Sequence, residues 1–145
     1  MSEATVDLEQ LEELGIETQY VIEQINAFSD TSRQWEASLD IESAKKNPLK
    51  ARILNSQMTH LDRLFLMPQG LPGRALYRHA IISPSKYDSY GSSVFPGISD
   101  LLHGIDALSG AELDARVEQL KRHVSDLMVV IKAAENYLKD VSLIV

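Results

Sequence analysis

The chain has 145 residues, a formal net charge of −7, 44% hydrophobic and 24% charged residues, and no cysteine. That balance predicts one globular domain over residues 1–145 with a single core. It excludes a disulfide framework and a thiolate metal site, and no apolar run is long enough to cross a membrane.

The first helix is expected from about Thr5 to Ile41. Leu8, Leu11, Leu14, Val21, Ile22, Ile25, Phe28, Trp35 and Leu39 recur at threes and fours. Gly15 is its weak point, where a bend or a break is expected, because glycine costs about 1 kcal/mol against alanine inside a helix. Ser43 to Pro48 reads as a turn, with Asn47 as N-cap and Pro48 at the first helical position. A second helix follows to about Leu66, with Ile53, Leu54, Met58, Leu61, Leu64 and Phe65 on one side. Pro68, Gly70 and Pro72 end it.

Next comes a long segment rich in Pro, Gly, Ser and Tyr. A loop of this size inside a compact domain is usually functional or disordered. Tyr77, Tyr87, Tyr90 and Phe95 favour order, because each gives the loop a ring to bury. Ala80-Ile81-Ile82 is expected to pass through the core as a short extended piece. Gly97 to Gly104 suits a short helix with Ile98, Leu101 and Leu102 inward. Ser109 then caps the last helix, with Glu112 as its capping-box partner. Leu113, Val117, Leu120, Val124, Leu127, Ile131, Ala134, Leu138 and Val141 form a 4-3-4-3 stripe along it. Such a rod, roughly 45 Å long, needs a partner along its length, and the first helix is long enough to supply it. Antiparallel packing near ~20° is expected between them. The predicted fold is all-α: an elongated up-and-down bundle of three long helices and one short helix. A long ordered loop joins the second helix to the short one.

The loop carries a family resemblance. Gly70-Leu71-Pro72, Tyr77-Arg78-His79, Pro84-Ser85, Tyr90 and Phe95-Pro96-Gly97-Ile98 occur in the order of a known pattern. Together they resemble the carboxy-terminal helical domain of the glutamate carboxypeptidase II family, shared with the transferrin receptor and named for dimerisation. The helix from Asn47 to Leu66 resembles the family helix that leads into this turn. Outside residues 47–105 the match is mainly one of length and apolar pattern.

The resemblance implies a domain without catalytic residues or cofactor of its own. The family's two zinc ions sit on ligands in a separate catalytic domain upstream. It implies homodimerisation and contact with that peptidase domain. It also implies a wall of the substrate pocket, where a Lys-Tyr pair holds the substrate's terminal carboxylate. The tyrosine matches Tyr90, while the lysine position is Ser89 here. A neutral hydroxyl replaces a point cation, so a preference for carboxy-terminal glutamate does not carry over with the fold. Tyr90 reads equally as pocket wall or as a loop anchor with its ring buried and its hydroxyl in water. A secretory or vacuolar route would be set by an upstream segment, and Met1-Ser2-Glu3 does not begin a signal peptide. A free-standing helical interaction module without a peptidase is the alternative.

The residues by themselves offer no catalytic constellation. His60, His79, His103 and His123 stand at no recognised metal spacing. No G-x-S-x-G elbow surrounds the loop serines, and Gly70-Leu71-Pro72-Gly73 lacks the lysine of a phosphate-binding loop. Arg78 is expected to order the loop by pairing with a carboxylate or helix-end carbonyls, weighed against a substrate contact. His79 reads as a hydrogen-bonded loop histidine, with Tyr77 and Phe95 as further loop anchors. Residues 1–42 carry eleven acidic groups and one basic group, a net −10. Residues 43–90 carry eight basic and two acidic groups, a net +6. This pattern reads either as solvated helix faces or as acidic and basic segments that meet within the fold or across a dimer. Nucleic-acid binding is not expected, because apolar residues interrupt the basic ones and the total is acidic.

Overall fold

The computed structural model describes residues 3–84, 86–87, 92–93 and 95–141. Its helices are α1 (Glu3–Glu13), α2 (Gln19–Ser38), α3 (Ile41–Lys46), α4 (Pro48–Leu64), α5 (Pro96–Leu102) and α6 (Gly110–Val141). A two-residue antiparallel pair, β1 (Ser83–Pro84) with β2 (Ser92–Ser93), lies within the loop before α5. The fold is all-α, as the sequence predicts.

The single first helix is in fact two. α1 stops at Gly15, which adopts φ +72°. Gly15 N–H donates to Glu12 O at 2.9 Å and Ile16 N–H to Leu11 O at 2.9 Å. This is the paired bonding of a Schellman cap, completed by burial of both Leu11 and Ile16. Of the bend and the break expected at this glycine, the structure takes the break. The chain turns, and α1 docks against α5, where the Ser99 hydroxyl donates to buried Asp7 at 2.6 Å.

The expected turn after α2 also differs, because Asp40 caps a short helix there. Its carboxylate accepts from Ser43 N–H at 2.9 Å, and Lys45 and Lys46 occupy the last turn. Glu42 in the first turn and lysines in the last both complement the helix dipole. Asn47 then caps α4 as predicted, its side chain accepting from Leu49 N–H at 3.0 Å and Lys50 N–H at 3.4 Å. The inward face of α4 is rotated from the expected one. Leu54, Gln57, Leu61 and Leu64 turn in, while Ile53 and Met58 are exposed. Gln57 was invisible to an apolar pattern.

α6 spans 32 residues, about 48 Å at helical rise. Leu120, Val124, Leu127, Ile131, Ala134 and Leu138 are buried as predicted, and Leu113 and Val117 half-buried; the side chain of Val141 lies outside the described residues. Two polar residues join the buried face, His123 and Glu135. Glu135 accepts from Gln24 of α2 and from Lys132 at 2.6 and 2.8 Å, and is also paired with Lys139. These donors hold its carboxyl well below the usual range, at about 2.

The direction of the helices corrects one expectation. Leu14 meets Leu113 and Val117 near the start of α6. Val21 and Ile25 share a cluster with Leu120, Val124 and Leu127, whereas Trp35 and Leu39 share one with Tyr137 and Leu138. Residue numbers rise together, so α2 and α6 are parallel. α4 runs against both: Phe28 packs edge-on to Phe65 at 5.7 Å, while Leu39 meets Leu54. The antiparallel neighbours are α2 with α4 and α4 with α6, an up-down-up order that leaves the first and last long helices parallel.

Candidate functional site

The loop between α4 and α5 is built from short backbone pairings. Met67 N–H donates to Arg78 O at 2.7 Å and Ala80 N–H to Phe65 O at 2.8 Å, so residues 65–67 and 78–80 run side by side. Between them Leu71 N–H donates to Tyr77 O at 2.8 Å and Arg74 N–H to Leu71 O at 2.9 Å. Gly70 sits inside this turn at φ +75°, and a Cβ there would lie 2.4 Å from Ala75 O. Only glycine fits that position. Met67, Leu71 and Ala80 fill the core below. Ala80 is thus buried as expected, but Ile81 is half-buried and Ile82 is 72% exposed.

The charged centre of the loop is Arg74. Its side chain is 9% exposed, and Nη2 lies 2.6 Å from Oδ2 of Asp100 on α5, itself 5% exposed. Nη1 donates to Pro84 O at 2.7 Å, and the guanidinium lies 4.9 Å from the Tyr77 ring centroid. One side chain therefore ties the turn, β1 and α5 together. Arg78, expected to order the loop, lies on the surface and donates to Pro68 O at 2.7 Å. A signal for Arg74 existed: Asp100 stands among the inward residues Ile98, Leu101 and Leu102, and a buried carboxylate requires a cation.

The other expected loop residues take distinct places. His79 is half-buried and stacks on Phe65, with ring centroids 5.8 Å apart. Its Nδ1 faces the N–H groups of Ile81 and Ile82 at 3.3 and 3.0 Å, which assigns Nδ1 as acceptor. Nε2 lies 3.4 Å from Asp62. Tyr77 is exposed beneath Arg74, and Phe95 is buried at the N-cap of α5. Ser89 and Tyr90 lie outside the described residues. Tyr87, exposed, stacks on His103 with centroids 3.7 Å apart.

An open cleft of about 500 Å³ separates the turn 69–75 from α6, where Gln119, Arg122, His123 and Asp126 face it. Gln69 Nε2 donates across its rim to Asp126 at 3.1 Å. His123, beside the cleft, presses its ring on Gly97 of α5. Among the described residues no three His, Asp or Glu side chains converge as metal ligands. On the loop surface Leu76 is 94% exposed, and Tyr77 and Ile82 are exposed as well.

The sequence profile of the transferrin receptor-like dimerisation domain matches residues 10–139. A probable glutamate carboxypeptidase of Arabidopsis thaliana is 33% identical over 141 residues, 96% of this chain and 20% of that protein. An inactive zinc metalloprotease of Schizosaccharomyces pombe is 30% identical over 77% of this chain and 14% of its own length. An aminopeptidase of Rattus norvegicus is 29% identical over 72% of this chain and 13% of its own length. The chain therefore spans a fifth or less of the length of these relatives.

Proposed function

Because this chain belongs to the transferrin receptor-like dimerisation domain family, we propose that it is the non-catalytic helical domain of a glutamate carboxypeptidase-like zinc metallopeptidase. In that role it joins two copies of the parent and closes one wall of the substrate pocket. The zinc would be held by the parent's catalytic domain. The observation that carries the reading is the contrast within the loop. Its backbone is pinned by Arg74 and Asp100, yet Leu76 is 94% and Ile82 72% exposed. A rigid loop that exposes leucine and isoleucine has the form of a surface made to be covered. A catalytic domain of the longer relatives is a natural cover.

Self-association draws on a second apolar element. Val129 is 70% exposed on α6, next to half-buried Val130. Together they widen the apolar stripe beyond what α2 and α4 occupy. A stable interface buries at least ~1,000 Å² in total, which a bundle of this length can offer along one side. Sedimentation velocity of the chain at high micromolar concentration tests the dimer: a dimer is expected, and monomer throughout overturns self-association by this domain. Ser89 and Tyr90 are the proposed pocket residues. Tyr90→Phe in the parent enzyme should raise KM for peptide substrates with little change in kcat. An unchanged KM makes Tyr90 a loop anchor only.

One observation favours a second reading. The Schizosaccharomyces pombe relative is an inactive metalloprotease, so the dimerisation fold persists without turnover there. On this reading the chain is a helical interaction module, free-standing or in a parent without peptidase activity. Zinc ligands encoded upstream of Met1 in the transcript support the first reading, and their absence supports the second.

A further inference from the structure

One buried ionisable group takes no part in the proposed role. His123 is 3% exposed, on the face of α6 that meets α5 and borders the cleft under the turn 69–75. Gly97 of α5 lies so close that a Cβ there would stand 2.1 Å from Nε2 of the imidazole. That Nε2 is buried and meets no hydrogen-bond acceptor or donor. A neutral ring tolerates the contact, because an unprotonated nitrogen packs against a glycine methylene like a carbon edge. An imidazolium does not: both nitrogens then carry N–H donors, and the one at Gly97 has nothing to bond.

We propose that His123 is an acid-released latch: while neutral it lets α5 pack on α6 and so holds the turn 69–75 through the Arg74–Asp100 pair, and its protonation frees both. The charged groups around it come from each element packed there. α6 itself supplies Arg122 and Asp126, α5 supplies Asp100, and the loop supplies Arg74. The two carboxylates favour the imidazolium, but both are engaged, Asp100 by Arg74 at 2.6 Å and Asp126 by Gln69 at 3.1 Å. Burial outweighs them and holds the imidazole below its ordinary range.

The sign follows from linkage. The unfolded chain takes up the proton near 6.5, before the folded chain does. The stability due to the neutral ring is therefore complete above that pH. It declines below it by up to about tenfold in equilibrium constant per pH unit, until the folded-state imidazole also titrates. The loss falls first on α5, whose Gly97 the ring touches, and then on the turn 69–75 that Arg74 ties to it. Between them they carry the Arg74–Asp100 pair, so acid reaches the whole loop through one side chain.

Amide hydrogen exchange of the whole chain at about pH 7 and about pH 5, corrected for intrinsic rates, tests this. In the unsubstituted protein, protection of Pro96–Leu102 and of residues 69–75 should fall on acidification at least about fivefold more than in His123→Leu. Protection in the middle of α2 should change alike in both proteins. Equal losses at α5 in the two proteins overturn the latch. If His123→Leu does not fold, the imidazole resonances of the unsubstituted chain decide. Titration of His123 in step with broadening of the α5 amides supports the proposal. Titration in the ordinary range with α5 unchanged overturns it, as does a ring that stays neutral to about pH 4.5 with α5 unchanged.

Discussion

Arg74→Met is the perturbation that most directly questions the account of the loop. The methionine keeps much of the aliphatic stem but removes the cation that faces Asp100 at 2.6 Å. The carboxyl of Asp100, 5% exposed beside Ile98, Leu101 and Leu102, is then left without its cation. Removing one partner of a buried pair typically costs ~3–5 kcal/mol, because the remaining charge is left uncompensated. The lost charge-assisted bond to Pro84 O at 2.7 Å lies within that range rather than adding to it. Domains of this size are stable by ~5–15 kcal/mol, so the variant should fold but sit close to its threshold. Urea unfolding followed by far-ultraviolet circular dichroism reads the change as a shift in midpoint at constant slope. Trypsin supplies a local readout, since Arg78 and Lys86 lie on the loop and should be cut faster. Arg74→Met with Asp100→Leu should recover most of the loss, because a neutral pair leaves no buried charge. A loss below ~1 kcal/mol for Arg74→Met alone would refute the claim that this pair orders the loop.

Leu127, 1% exposed in the centre of α6, should cost ~2–5 kcal/mol on replacement by alanine, through lost burial and the cavity left behind; a denaturant melt showing under ~1 kcal/mol contradicts its place in the core. Gly97→Ala places a methyl 2.1 Å from the His123 ring and should cost ~1–3 kcal/mol by overpacking. The same substitution in a His123→Ser background should be nearly neutral, and a double-mutant cycle that finds the two effects additive rules out the contact. Glu135→Gln should flatten the acid limb of the stability curve. The folded carboxyl is pushed down to about 2 from its ordinary 4.5, so its stabilisation is present above the ordinary carboxylate range and is lost as pH falls towards 2. Lys132 and Lys139 are 51% and 56% exposed, so solvent screening reduces the expected difference at neutral pH to ~1 kcal/mol. Parallel acid-denaturation curves for the two proteins would contradict it.

Much of the fold was written in apolar spacing. The stripe of α6 and the Asn47-Pro48 start of α4 were read correctly, because each depends on residues local in sequence. What was missed depends on distant partners. Gly15 read as a bend or a break in one helix, and only the packing of α1 on α5 shows that a full cap is needed there. His123 and Glu135 lie next to Val124 and Ala134, just beside the apolar row. They are buried because α2, α4 and α5 together cover more of the α6 circumference than one stripe. A hydrophobic pattern assigns polar residues to water by construction, so the groups with the most specific chemistry were the least legible. The loop shows the same rule. Its turn residues announced it, but the choice of Arg74 over Arg78 rests on which guanidinium lies over Asp100, a residue 26 positions on.

The parallel pairing of α2 and α6 constrains how the chain reaches this shape. Gln24 and Glu135, bonded at 2.6 Å, are 111 residues apart. No hairpin can bring parallel neighbours together; the whole of α4 and the loop must first lead the chain out and back. Chain-closure entropy for such a contact is met only once the intervening segments are ordered. Most helical bundles fold through local contacts within microseconds to milliseconds. This one closes its longest seam across nearly its entire length, and it should fold with the slower kinetics of a β-rich domain.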